Sequence, residues 1–234
     1  MKKLGLIGGM SWESSAEYYR IINQTVHEKL GRPHSCECIM YSFDFGVIDK
    51  LQHEGKWNEL SALLVDAALN LERSGAEFLL LCTNTMHILA DDIEKKIAVP
   101  LLHIADAIGK EILKNKMKKV GLLGTKFTME KEFYKERLRR LFGIEIIIPV
   151  PEERERIHSV IYNELINGII SNESRNEFIT IINNLRTGGA EGVILGCTEI
   201  PLIVHQDDCR IQLFDSTRIH SVAAVELALT RDYS

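Results

Sequence analysis

The sequence contains no apolar run approaching the roughly 18 residues that a membrane-spanning helix needs; its longest pieces are stretches such as "LGLIGG" and "EFLLLC". A soluble protein without membrane partners is therefore expected. The start, "MKKLGLIGGMSWESS", has the lysines and apolar residues of a signal peptide, but Gly8-Gly9 interrupts the apolar part and no small-residue cleavage site follows, so it reads as a first strand. Positive charge is not in excess either. With 28 Lys+Arg against 33 Asp+Glu and a formal net charge of -5, the chain offers no basic field for phosphates, which argues against nucleic acid and for a small-molecule partner. Five cysteines are an odd number without a small secreted domain around them, which fits a reducing compartment and makes cytoplasm the expected location. No C-x-x-C or H-E-x-x-H spacing occurs, and "CEC" at 36–38 alternates faces of a strand, so no metal is expected. "GLIGGMS" lacks the G-x-G-x-x-G spacing of a dinucleotide cradle.

What is present is 45% hydrophobic and 26% charged residues over 234 positions, ordinary globular composition with material for one large core or two small ones. Short apolar runs alternate with longer amphipathic ones. "LGLIGG" (4–9), "CECIMYSF" (36–43), "FLLLC" (78–82) and "PLLHI" (100–104) have the character of strands, separated by helical spacing in "SSAEYYRIINQTVHEKL" and "WNELSALLVDAALNLERSG". A second set follows: "KVGLLG" (119–124), "IEIIIPV" (144–150), "GVILGC" (192–197) and "IQLF" (211–214). Such alternation predicts an α/β fold of parallel sheets with helices on both faces, joined by right-handed crossovers.

The repetition extends to residues. "SGAEFLLLCTNTMHIL" (74–89) and "GGAEGVILGCTEIPLI" (188–203) share Gly-Ala-Glu before a strand and a Cys-Thr pair at its end. One duplicated unit explains both and predicts two pseudo-symmetric lobes with a site in the cleft between them. Ligands of parallel α/β sheets collect at the carboxyl ends of strands, where both Cys-Thr segments fall. A single free cysteine there is most often a small buried apolar residue. Two polar clusters at matching strand ends, each before a helix able to depress a thiol pKa, point instead to a shared site.

The two segments align in two ways. Matching Cys-Thr to Cys-Thr pairs Cys82 with Cys197 but needs one extra residue after Gly-Ala-Glu; matching without a gap pairs Thr83 with Cys197. Side chains alternate along a strand, so a one-residue slip reverses which residue faces the site. The ungapped match keeps every strand residue on its face and favours Thr83. Asp106 and Asp215, at matching places after the fourth strand of each half, are expected to cap the following helices rather than act as acids. His87 is expected either as a structural ring or as a proton shuttle.

Taken together, "GLIGGMSWES", "CTNTMH" and "GCTEI" resemble the cofactor-independent aspartate/glutamate racemase superfamily over essentially the whole chain. In two-cysteine members the first cysteine directly precedes Asn-Thr in Cys-Asn-Thr-x-His. Here Asn84-Thr85-Met86-His87 supply the rest and Thr83 takes the cysteine's place, as in the Thr/Cys subgroup described as L-aspartate/glutamate-specific racemases. The resemblance implies a pyridoxal-phosphate-independent isomerase that needs no cofactor, with Cys197 as thiolate base and Thr83 as donor or relay on the opposite face. It implies that Asn84, Thr85, Thr198 and Glu199 hold the substrate's carboxylate and ammonium, with Met10 and Gln52 lining the mouth. A carboxylate at Glu199 would raise the Cys197 pKa unless it pairs with that ammonium.

The resemblance further implies a homodimer. It places residues 1–98 plus 213–234 in the first lobe and 99–212 in the second, so that the last strand and helix return to the first. Some archaeal-type aspartate racemases carry an arginine and a lysine near the distal carboxylate, whereas the matching "IDKLQHEG" and "IYNELING" offer Gln52 and Ile166. Acidic substrates come first by similarity, and a neutral polar one such as homoserine suits a site without that clamp. Two alternatives stand beside this reading: a single-cysteine decarboxylase of the same superfamily using only Cys197, and an amino-acid-binding module that has lost catalysis.

Overall fold

The structure, a computed structural model, describes residues 1–230. The chain divides into two compact units, Met1–Ile104 with the segment from His220 onward, and Ala105–Ile219. In the first unit the order is β1 (Leu4–Gly8), α1 (Trp12–Leu30), β2 (Cys38–Ser42), α2 (Phe45–His53), α3 (Trp57–Arg73), β3 (Phe78–Leu81) and α4 (Ala90–Glu94), with a 3-10 turn at Thr85–Leu89. The second holds α5 (Ile104–Lys114), β4 (Lys119–Gly124), α6 (Lys126–Glu130), α7 (Glu132–Phe142), β5 (Glu145–Ile147), α8 (Pro151–Asn163), α9 (Asn172–Thr187), β6 (Gly192–Gly196), β7 (Gln212–Asp215) and the start of α10 (Ser216–Leu229).

Every strand pair is parallel, in the orders β2-β1-β3 and β5-β4-β6-β7. The central strands are buried along their whole length because helices cover both faces, which is why they read as unbroken apolar runs. In the first unit one face carries Ile7, Leu79 and Leu81 against Ile48, Leu60 and Leu64. The other carries Leu4, Leu6, Phe78, Leu80 and Cys82 against Tyr18, Ile22 and Val26 of α1 and Ala224, Val225 and Ala228 of α10. Each fully buried leucine contributes about 2 kcal/mol of transfer free energy.

Two strand expectations change. "PLLHI" is not a strand: it makes one parallel bridge, Leu79 to Leu101. Pro100 brings no N–H to a ladder, and α5 begins at Ile104, so there is length for a single step. β7 does not return to the first lobe as the resemblance implied. It pairs with β6 from Gln212 to Asp215, because its apolar Leu213 and Phe214 complete the second sheet; the chain passes to the first unit within α10, at His220.

Candidate active site

In the first unit the candidate residues Met10, Thr83, Asn84 and Thr85 follow the ends of β1 and β3, and Gln52 lies on α2. Past Gly8 the chain turns sharply at Gly9, whose φ of 80° and whose absent Cβ are both required, since a Cβ there would lie 2.2 Å from the Phe43 carbonyl oxygen. The Gly9 N–H donates to Ser15 Oγ at 2.8 Å, and Ser11 caps α1 by accepting from the Ser14 N–H at 3.3 Å. Met10 is thereby tucked into the core. Gln52 is buried in the last turn of α2, while Lys50 beside it is exposed.

At the end of β3 the Cys82 N–H donates to the Ile7 carbonyl at 2.9 Å, extending the ladder by one residue. The Cys82 side chain is completely buried in the apolar face of Leu4, Leu6 and Leu80, and that desolvation pushes its thiol far above its ordinary range. Thr83, next in line, is half-buried, and Asn84 and Thr85 lead into the 3-10 turn.

His87 clamps this turn. It donates from Nδ1 to the Thr83 carbonyl at 2.8 Å, while its Nε2 accepts from the Ile104 N–H at 3.2 Å. Only the neutral ring with its proton on Nδ1 makes both bonds, so of the two expected roles the structural one is what this geometry provides. The ring meets His103 edge-on at 4.6 Å and His220 at 5.7 Å between centroids. His220 in turn bonds the Tyr18 hydroxyl at 2.9 Å and donates to the Leu102 carbonyl at 2.8 Å.

The second unit repeats the arrangement. β6 ends at Gly196, and Cys197, Thr198 and Glu199 lead into a 3-10 turn at Ile200–Leu202. The Cys197 thiol donates to Glu199 Oε2 at 2.9 Å and the Thr198 hydroxyl donates to the same oxygen at 2.8 Å. Cys197 is 8% exposed, and burial, then the Glu199 charge and its hydrogen bond, hold the thiol well above its usual pKa. Backbone N–H groups of Glu199 and Ile200 pull the other way, as expected of a turn following a strand, but they are outweighed. The anticipated depression of the thiol is therefore reversed, and Cys197 is held as a protonated thiol.

Internal geometry decides between the two alignments. Gly75 and Gly189 turn with φ of 91° and 94°, and Ala76 donates to the Leu71 carbonyl as Ala190 does to that of Leu185. Glu77 donates to the Lys3 carbonyl and Glu191 to that of Lys119, each at 2.8 Å. From there Leu81 pairs with Ile7 as Leu195 pairs with Leu123. Cys82 then matches Gly196, where a Cβ would come within 2.8 Å of the Leu123 carbonyl oxygen, and Thr83 matches Cys197.

Asp215 caps α10 as expected, accepting from the Arg218 N–H at 3.1 Å. Asp106 does not cap. It lies inside the first turn of α5, which starts two residues earlier, and takes both Arg137 Nε and NH2 at 2.6 and 2.7 Å. Ile166 is half-buried against the second unit's core. Sequence reasoning passed over Thr125, a buried polar residue just after β4 that caps α6 through the Thr128 N–H at 3.3 Å. The parallel between "LGLIGG" and "VGLLGT" was the signal, because it sets Thr125 where Gly9 stands in the first unit. Among the described residues no helix is long and apolar enough to cross a membrane, and no group of three or more His, Cys, Asp or Glu is arranged to hold a metal ion.

Comparison with known proteins gives consistent matches. The Asp/Glu/Hydantoin racemase family model matches residues 7–224. A solved candidate Asp/Glu racemase from Yersinia pestis is 50% identical with a TM-score of 0.93, over 98% of this chain and all of that one. An aspartate racemase homologue from Pyrococcus horikoshii is 39% identical with a TM-score of 0.87, over 98% of this chain and 100% of its own. The broad specificity amino-acid racemase RacX of Bacillus subtilis is 24% identical over 168 residues, 68% of each chain.

Proposed function

We propose that this chain, which belongs to the Asp/Glu/Hydantoin racemase family, inverts the α-carbon of an acidic or polar amino acid without a cofactor, with Cys197 as the base and Thr83 as the proton donor on the opposite face. The observation that carries this reading is the positional match of Thr83 with Cys197, each one residue past the last ladder bond of the same strand in its unit. Inversion needs one group to remove a proton and another to deliver one from the other side, a task suited to duplicated strand ends.

Glu199 makes Cys197 conditional on substrate. While the carboxylate is bare, its charge and the buried site keep the thiol protonated. An incoming α-ammonium pairs with Glu199, cancels that charge and lets the thiol give its proton to solvent, leaving the thiolate. The thiolate then takes the α-hydrogen: the Cα–H bond breaks, S–H forms, and the electron pair is spread into the carboxylate. Thr83 gives its hydroxyl proton to the opposite face and takes one up from solvent in the same passage, since an alcohol is far too weakly acidic to rest as an alkoxide.

Incubation with L-aspartate, L-glutamate or L-homoserine in heavy water tests the assignment. The expected result is α-deuterium in the substrate and appearance of the D-isomer for at least one of them. A binding module would raise the melting temperature without exchange, and a decarboxylase would release carbon dioxide from a disubstituted malonate and leave the amino acids untouched; either result rejects the reading.

Replacing Glu199 by glutamine gives a signed pH prediction. The carboxylate raises the Cys197 pKa, so a neutral amide of the same shape lowers it. The rising limb of kcat/KM against pH is expected to move down by about one pH unit, while KM rises because the ammonium loses its partner. An unmoved or upward-shifted limb would show that Glu199 does not control the thiol.

A further inference from the structure

We propose that Cys36 and Cys38 form a dithiol that a hydroperoxide oxidises to an intrastrand disulfide at the outer edge of the first sheet. β2 is an edge strand, paired with β1 alone. Residues two apart in extended chain point to the same face. Both side chains accordingly pack with the cluster of Leu4, Leu6 and Tyr18, near enough for each thiol to shift the other's pKa, and the Cys36 thiol also donates to the Glu37 carbonyl at 3.7 Å, while Glu37 between them is exposed.

The two thiols differ in solvation. Cys36 is buried at 8% exposure, and Cys38 is half-buried. Charge settles on the sulfur that keeps contact with water, and the buried partner retains its proton. Interaction with the Cys36 thiol thus lowers the Cys38 pKa to about 7 against the effect of burial, and the same interaction, then burial, pushes Cys36 up. The other three cysteines are all held high, Cys82 and Cys197 chiefly by burial and Cys209 by burial and then the Asp208 charge. Of the five thiols, Cys38 is the one whose pKa is moved down, towards the thiolate, rather than up.

The oxidation balances with a hydroperoxide as the two-electron oxidant. The Cys38 thiolate attacks the outer peroxide oxygen, the O–O bond breaks, and the departing oxygen takes a proton from solvent and leaves as alcohol or water, giving a Cys38 sulfenic acid. Cys36 sulfur then attacks that sulfur; S–S forms, S–O breaks, and hydroxide leaves with the Cys36 proton as water. Extended spacing sets the two Cα atoms about 6.6 Å apart, at the wide limit of disulfide geometry. Cys36 lies just before β2, tied through its N–H to Asn23 Oδ1 at 2.9 Å, so closure bends residues 34–37 and strains one neighbouring bond, that from the Leu4 N–H to the Glu37 carbonyl. A strained disulfide of this kind is readily reduced again by thiols. The pair sits at the amino end of the sheet, Cys38 beside Leu4, whereas Thr83 follows the carboxyl end of β3; oxidation consumes no residue assigned to racemisation.

Treating the reduced protein with one equivalent of hydrogen peroxide near neutral pH, then unfolding it in denaturant, alkylating with iodoacetamide and digesting with trypsin, reads the outcome directly. Both cysteines fall in one peptide, residues 30–50, since the Arg32-Pro33 bond resists cleavage. This peptide is expected unalkylated and lighter by two hydrogens, with Cys82, Cys197 and Cys209 still alkylated and racemase activity retained. Cys36→Ser should stop at a sulfenic acid trapped by dimedone, and Cys38→Ser should slow peroxide consumption at least tenfold. Alkylation of both thiols in wild type, earlier oxidation of any other cysteine, or a Cys38→Ser protein reacting at the wild-type rate overturns the proposal. The wild-type peptide map decides even where a variant fails to fold.

Discussion

Replacing Cys197 by serine is expected to lower racemisation and α-hydrogen exchange together, each by about 10³-fold or more. Of the other groups at the two strand ends, Thr83, Thr85 and Thr198 carry hydroxyls, Asn84 a neutral amide, Cys82 is buried in the apolar core, and the Glu199 carboxylate is assigned to the substrate ammonium. Both signals must fall, because exchange requires only the first proton removal while inversion requires that step and the next. Proton NMR in heavy water and chiral chromatography measure the two on one sample. Full-rate exchange in a folded Cys197→Ser protein would remove Cys197 from the base position. Cys82→Ala is the matched control. Its sulfur lies in the apolar face of the sheet, so turnover is expected within a few-fold of wild type at a stability cost of about 1 kcal/mol. Loss of turnover in that protein would instead favour the gapped match of the two repeats.

Thr83 should separate exchange from inversion. The resemblance to two-cysteine racemases implies that the Cys197 thiol serves the L-face, so an L-amino acid is expected to give up its α-proton readily but to wait for a weak donor on the other side. Many carbanions then take a proton back from the thiol that removed it. If the thiol exchanges with solvent in the meantime, deuterium accumulates in the L-isomer faster than D-isomer appears. Thr83→Ala is expected to reduce inversion by about 10²-fold while leaving exchange within a few-fold. Thr83→Cys should raise the inversion-to-exchange ratio by supplying a second thiol at the position that matches Cys197. Because enantiomers have equal free energy, kcat/KM must remain equal in the two directions in every variant; a difference can appear in kcat and KM separately. Equal exchange and inversion rates in wild type, or no gain in the ratio on Thr83→Cys, would show that Thr83 is not the weak partner.

The periodicity of the chain was enough to specify most of the architecture. Central strands buried on both faces must be apolar throughout, so "LGLIGG" and "GVILGC" announce themselves, and amphipathic spacing identifies the helices between them. The duplicated Gly-Ala-Glu could be seen in the letters because both copies perform the same backbone task, a turn at positive φ followed by a bond to the strand alongside. "PLLHI" misled because an apolar run shows a capacity to be buried, not the presence of ladder partners, and one bridge was all the chain length allowed.

At the two strand ends the register was legible, since alternation along a strand is a local rule that the sequence obeys without outside help. The state of those residues was not. Whether Cys197 rests as thiol or thiolate depends on how much water reaches it and where the Glu199 carboxylate folds back; both are settled by burial, and here burial outweighs the favourable N–H groups. Asp106 turned from cap to ion-pair partner because Arg137, 31 residues away, lies within reach of its side chain. His87 became a clamp because the Ile104 N–H comes to its Nε2 from 17 residues further on. Local periodicity is written in neighbouring residues and can be read from them, whereas desolvation and long-range pairing are sums over atoms that only the folded chain brings together.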